Sequence, residues 1–220
     1  MDFEALGVTL RLAIVTTLIL LVVAMPLAWW LAHGRSRWRA AVELLTTLPL
    51  VLPPTVLGFY LLWLLGPLSA PGLVFTRWIG HPLTFTFNGL VIGSVIYSLP
   101  FAVQPLRAGF SSVPLDWLDT AATLGANARQ RFWRIVLPSS RLAIAGAGAL
   151  VFVHTVGEFG VVLMLGGNIP GATRTLSLVV YDQVQDFRYA AANLTSLLLV
   201  AISLLGLLAI YVLRMRGRRD

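Results

Sequence analysis

The sequence predicts an all-α integral membrane protein with five transmembrane helices, a single domain over residues 1–220, and one long polar segment between the third and fourth spans. Three observations predict it. Apolar residues make up 58% of the chain and charged residues only 11%, with a mean hydropathy of +0.85, so a water-soluble globule would have to expose large apolar patches. The uncharged runs are long enough to cross a bilayer as helices. The basic residues border those runs, where they orient a membrane protein rather than form a face for nucleic acid.

Taken in order, the start MDFEALGVTLRLAI is acidic where a secretory signal would be basic, and the apolar run after it is too long for a signal core. It reads as a retained first span over about residues 10–33, with Pro26 expected to kink it and Trp29 and Trp30 near its interfacial end. The basic turn GRSRWR follows. The second span is expected over about residues 44–65, entered through the irregular LPLVLPP, where Pro53 and Pro54 break the backbone at membrane depth. An external loop holding Arg77 and His81 leads to a third span over about 88–107, which contains Pro100 and Pro105. The polar segment 111–138 comes next. Ser139 or Ser140 is placed to cap a fourth span over about 140–165, whose Ala and Gly residues permit close helix contact. A polar loop with a short helix over Leu176 to Gln185 precedes the fifth span, about 190–213, and the chain ends in RMRGRRD.

Arginine counts orient the spans. Of sixteen basic residues, all Arg, three lie in the turn after the first span, five between Arg107 and Arg141, and four in the tail, leaving Arg11, Arg77, Arg174 and Arg188 on the opposite side. The positive-inside rule then puts the N-terminus outside and both the polar segment and the C-terminus in the cytoplasm. With no Lys, the chain has no Walker-type phosphate loop, so any ATP chemistry belongs to a partner. With no Cys there are no disulfides or thiolate metal sites, and His33, His81 and His154 are too scattered for a metal cluster or a catalytic triad. No catalytic residue and no bound cofactor is expected. Internal repeats are absent, and five spans are few for a pore, so a second copy of the chain is expected to complete the pathway.

Within the polar segment, Leu118, Ala121, Ala122, Gly125 and Ala126 offer a shallow face of small residues suited to a partner's groove, and Asp119 suits a helix N-terminus. The segment also resembles the signature of ABC importer permeases, which runs Glu-Ala-Ala, three residues, Gly, nine residues, Ile, any residue, Leu, Pro. Asp119, Thr120 and Ala121 stand for Glu-Ala-Ala, and Gly125, Ile135, Leu137 and Pro138 follow at matching spacing. Two further stretches, LPLVLPPTVLGFYLLWLLG from Leu48 and GEFGVVLMLGGNIPGATRTLSLVVYDQVQ from Gly157, look like the molybdate permease family, with the sulfate and tungstate permeases close to it.

The resemblance implies a type I ABC importer permease core in the bacterial inner membrane, working by alternating access to move molybdate from periplasm to cytoplasm. It implies a cytoplasmic coupling helix around Asp119 to Ala126, docked on an ABC ATPase present in two copies that binds ATP and Mg, and a periplasmic oxyanion-binding protein as donor. It further implies that the second and fourth spans line the gate. Tungstate and sulfate are the alternative substrates. An ATP-independent anion carrier or channel is the reading of a different class; it calls for more intramembrane titratable groups and an internal repeat.

Pathway or gate candidates are Pro53 and Pro54 at the break, Glu158 as the acidic residue within a span, and Thr173 with Arg174 in the loop beyond it. Glu158 reads either as a gating group or as the structural partner of Arg174. Arg174 and the Thr173 hydroxyl read either as contacts for a passing oxyanion or as loop anchors. Asp182 and Asp186 lie four apart, on a solvated face or one that docks an external protein.

Overall fold

The computed structural model describes residues 2–34 and 36–216; of the basic residues bordering the spans, Arg35, Arg218 and Arg219 lie outside them. The regular secondary structure of the described residues is all helical, with no strand among them. Asp2 starts α1 (Phe3–His33), its carboxylate accepting the Ala5 N–H at 2.9 Å and satisfying a donor of the first turn. The helix continues through Pro26 instead of ending there. Ala24 and Ala28 on either side are fully buried, and packing by neighbouring helices holds the turn that proline weakens.

The expected second span is two helices, α2 (Arg39–Val51) and α3 (Pro54–Leu65), whose axes differ by 112°. Leu48 to Val51 are helical through Pro49, so the irregularity is confined to Leu52 and Pro53, both extended, with ψ of 137° and 134°. Two consecutive prolines remove two backbone donors and bar the preceding residue from helical geometry, whereas Pro54 fits the first turn of α3. The expected open loop after Gly66 contains α4 (Ala70–Ile79): Ser69 caps it by accepting the Gly72 N–H at 2.9 Å, and Gly80 ends it with φ of 84°. Pro71 and Gly72 therefore open a helix rather than break one.

α5 (Phe87–Ser111) is continuous through Pro100 and Pro105. After it come α6 (Leu115–Thr123), α7 (Ala128–Arg131), a π-helical turn over Phe132–Val136, α8 (Leu137–Ser139) and α9 (Arg141–Val156), with a 72° bend between α8 and α9. The expected fourth span is interrupted: α9 stops at Val156, and α10 (Gly160–Gly166) begins after a three-residue break. α11 (Leu176–Gln185) matches the short helix expected there, and α12 (Tyr189–Arg216) covers the stretch expected as the fifth span.

α1, α5 and α9 pack against one another around Leu20, Leu31, Val103, Leu106, Ala147 and Val151. α5 and α9 cross closely, because a Cβ on Gly109 would collide with that of Ala143. α3 and α10 form a second packed pair on α5, joined through Leu57, Leu61, Val161 and Leu165. α12 covers α9 and α11 and leaves Leu197, Leu204, Leu205 and Leu208 exposed on its outer side. Three described helices, α1, α5 and α12, are each long and apolar enough to cross a membrane; the α2–α3 pair, and the stretch Ala128–Ser139 with α9, qualify only when a bent pair counts as one span.

Candidate functional site: the signature segment and the broken spans

The polar segment is two short helices joined by a tightly built turn. Pro114 precedes α6, and Asp116 rather than Asp119 is the acidic residue of its first turn; Asp119 lies mid-helix and exposed. α6 ends in a Schellman motif, with the Ala126 N–H donating to Ala121 O at 2.9 Å and the Gly125 N–H to Ala122 O at 3.0 Å. Gly125 sits at φ of +85° with open space where a Cβ would be. Its role is conformational: it permits the left-handed turn, and no close neighbour requires it to be small. The next helix starts at once, because Asn127 and Gln130 form a reciprocal capping box, each side chain accepting the other's backbone N–H at 2.9 Å.

This geometry divides the small-residue face expected here. Leu118 is only 6% exposed and packs in the hydrophobic core with residues of α1, α5 and α9, Ala121 and Ala126 are half-buried, and Ala122 and Gly125 are exposed. Around the rest of the segment Leu115, Trp117, Asp119, Thr120 and Leu124 are exposed, the last 83%. Leu115, Trp117 and Leu124 are exposed apolar side chains that the small-residue pattern did not single out, although their position around a polar, exposed acidic residue was the available signal. Ile135 and Leu137 are half-buried, and Pro138 is exposed within α8 and does not stop the chain. The bend follows at Ser140, whose hydroxyl donates to Gly109 O at 3.2 Å instead of capping α9.

The break between α2 and α3 meets the break between α9 and α10. A Cβ on Gly160, the first residue of α10, would lie 2.8 Å from the Pro54 Cβ and 3.1 Å from the Thr55 nitrogen, so the start of α10 abuts the start of α3. Gly58 and Gly93 similarly let α3 and α5 approach Val161 of α10. Glu158 occupies the α9–α10 break. It is 3% exposed, and neither carboxyl oxygen has a hydrogen-bond partner; its backbone carbonyl accepts the Ser177 hydroxyl at 2.6 Å. Its carboxyl group neighbours Ser94 of α5, whose hydroxyl is also buried and unpartnered. One turn earlier, His154 stacks on Phe101 at 4.0 Å and shares a 2.9 Å hydrogen bond with Ser98.

The expected Glu158–Arg174 pair is not formed. Arg174 donates from Nε to Asn168 Oδ1 at 2.9 Å and lies 3.7 Å from Asp182, which also accepts from the Asn168 amide. Asp182 is thus part of this network rather than a free solvated residue, and Asp186 pairs with Arg188 at 2.8 Å. Thr173 is fully buried: its hydroxyl donates to Gly166 O at 2.6 Å and accepts the Ile169 N–H at 3.0 Å. It ties Gly166 to Ile169 across the loop. Among the described residues no group of three His, Asp or Glu side chains could hold a metal ion.

A membrane-embedded helical unit with broken spans packed together at one site, and an exposed apolar turn on the segment between its spans, is the construction of a transport permease. Residues 24–218 match the family described as binding-protein-dependent transport system inner membrane component, and the chain belongs to that family. It is 49% identical to the molybdenum transport system permease protein ModB of Azotobacter vinelandii, over 96% of this chain and 93% of that one. It is 33% identical to the sulfate transport system permease protein CysT of Escherichia coli (strain K12), over 98% of this chain and 78% of the relative. Among solved structures, its fold is similar to a bacterial ABC transporter involved in import of the acidic polysaccharide alginate, with a TM-score of 0.79, 21% identity, and coverage of 97% and 79%. A second is the inward-facing MetNI methionine ABC transporter, with a TM-score of 0.76, 17% identity, and coverage of 97% and 94%.

Proposed function

We propose that this chain is the inner-membrane permease subunit of an ATP-driven importer that moves molybdate from periplasm to cytoplasm. The observation that carries the reading is the 49% identity to a molybdenum permease along nearly the full length of both chains, in a chain that itself has no Lys for a phosphate loop. Sulfate and tungstate are the alternative dianions, and the likeness to a sulfate permease supports them.

In this reading the chain is one domain of five spans, two of them broken, with the N-terminus periplasmic and the signature segment cytoplasmic. Two copies form the pathway. Each docks one copy of an ABC ATPase, which binds ATP and Mg, on the free face of α6, where Leu124 enters an apolar groove and Asp119 and Thr120 stand at its rim. A periplasmic oxyanion-binding protein delivers the anion. Closure of the ATPases draws the two signature segments together and flips the α3–α10 region, with Pro53, Pro54 and Glu158, between its outward and inward arrangements. Arg174 anchors the external loop in this scheme.

Purification of the tagged chain from its own membranes in mild detergent tests the assembly. An ATPase subunit should co-elute in equal amount, and Leu124→Asp should release it. Elution of the unmodified chain alone, with no nucleotide-hydrolysing partner, contradicts the proposal.

A further inference from the structure

Between its two changes of direction, the signature segment is fastened to the membrane helices by three aromatic rings. One change of direction is the left-handed turn at Gly125, the other the 72° bend at Ser140. Between them Phe132 opens the π-helical turn, whose closing bond runs from the Leu137 N–H to Phe132 O. Its ring meets Trp29 of α1 edge-on at 5.5 Å and Phe110 of α5 edge-on at 5.9 Å, and Trp29 and Phe110 meet each other at 6.1 Å. Each ring therefore contacts the other two, and each belongs to a different element. Edge-to-face rings fix relative orientation more strictly than aliphatic contacts do. The π turn supplies the register: it turns Phe132 and Val136 inward while Trp133 and Arg134 remain exposed, and such turns recur at functional sites.

A displacement of α6 passes first through the left-handed turn at Gly125, which two backbone hydrogen bonds hold, and then reaches the rings before the bend at Ser140. Close-packed rings cannot be compressed, so they transmit it. We propose that the Trp29–Phe110–Phe132 cluster is the joint that delivers motion of the signature segment to α1 and α5, with Phe132 as the positioning residue that couples ATP hydrolysis to transport. The inference rests on the ATPase-coupling reading above and assigns the route by which that coupling enters the membrane.

The test uses the complete transporter, permease with ATPase and anion-loaded binding protein, in proteoliposomes, and reads ATP hydrolysed per molybdate imported. Phe132→Leu keeps apolar volume but loses the ring. It should retain the ATPase at the unmodified ratio on purification, import at least ten-fold more slowly, and consume at least five-fold more ATP per anion, while Phe132→Tyr restores the ratio to within two-fold. Phe132→Leu with an unmodified ratio overturns the proposal, as does Phe132→Tyr failing as badly as Phe132→Leu in an intact complex. Should Phe132→Leu fail to assemble, Trp29→Leu reads the same joint from α1, and a normal ratio there overturns the proposal while a raised ratio supports it. An unmodified chain that retains no ATPase overturns the underlying function, and this inference with it, before any variant is compared.

Discussion

Gly160 lies directly against Pro54, 2.8 Å from a built Cβ to the proline Cβ, so the starts of α10 and α3 are in backbone-level contact. That one contact brings together two breaks more than a hundred residues apart in sequence. It predicts that Gly160→Ala overpacks the junction, costing about 1–3 kcal/mol and lowering the thermal unfolding midpoint of the detergent-solubilised chain. Gly146→Ala, at a helical position with nothing within 4 Å, is the matched control and should gain about 0.5–1 kcal/mol instead.

Glu158 is buried in that junction with neither carboxyl oxygen partnered. A group kept at such cost in a membrane span is a functional candidate rather than a stabilising one. Glu158→Gln should therefore leave the unfolding midpoint undiminished while uptake falls on the order of ten-fold. Uptake equal to that of the unmodified transporter would remove Glu158 from the gate.

Gly125 is constrained by its φ of +85° and not by its neighbours. A non-glycine residue there costs roughly 1–2 kcal/mol, least for Asn, which tolerates left-handed geometry, and most for β-branched residues. Coupled ATPase activity should fall in the order Asn, Ala, Val. A bulky but unbranched residue that matched Asn would show that the turn tolerates any side chain, and activity measured across the four forms decides it.

Arg174 is occupied by Asn168 and Asp182, each part-exposed. Arg174→Gln should cost about 0–1 kcal/mol of stability and leave the KM for uptake unchanged. A KM raised several-fold in a stable complex would instead put the guanidinium on the anion's path.

The starts of α5 and α12 and both ends of α11 fall close to where the sequence places them, because polar residues border those uncharged or periodic runs, whereas α5 continues past Arg107 to Ser111. Gly125 and its neighbours are legible as a motif, but the face they present is not. Ala121 and Ala126 are half-buried while Ala122 and Gly125 are exposed, a division set by the Schellman turn and its one left-handed dihedral rather than by residue spacing. Prolines are legible only in part. Pro26, Pro100 and Pro105 lie inside helices and the Pro53–Pro54 pair breaks one, as expected, whereas Pro49 stays inside α2 and Pro71 opens α4 where breaks were expected. The partners of Arg174 and the isolation of Glu158 depend on contacts between distant segments, which residue types and spacing do not encode.

ATP-driven movement of molybdate through this chain is measured by uptake into proteoliposomes that hold the chain with its ATPase and are supplied with molybdate-loaded binding protein. Accumulation should require hydrolysable ATP, stop when the ATPase is left out, and be competed weakly by sulfate. Accumulation by the chain alone without ATP, or failure of the full complex to import molybdate, tungstate or sulfate, would contradict it.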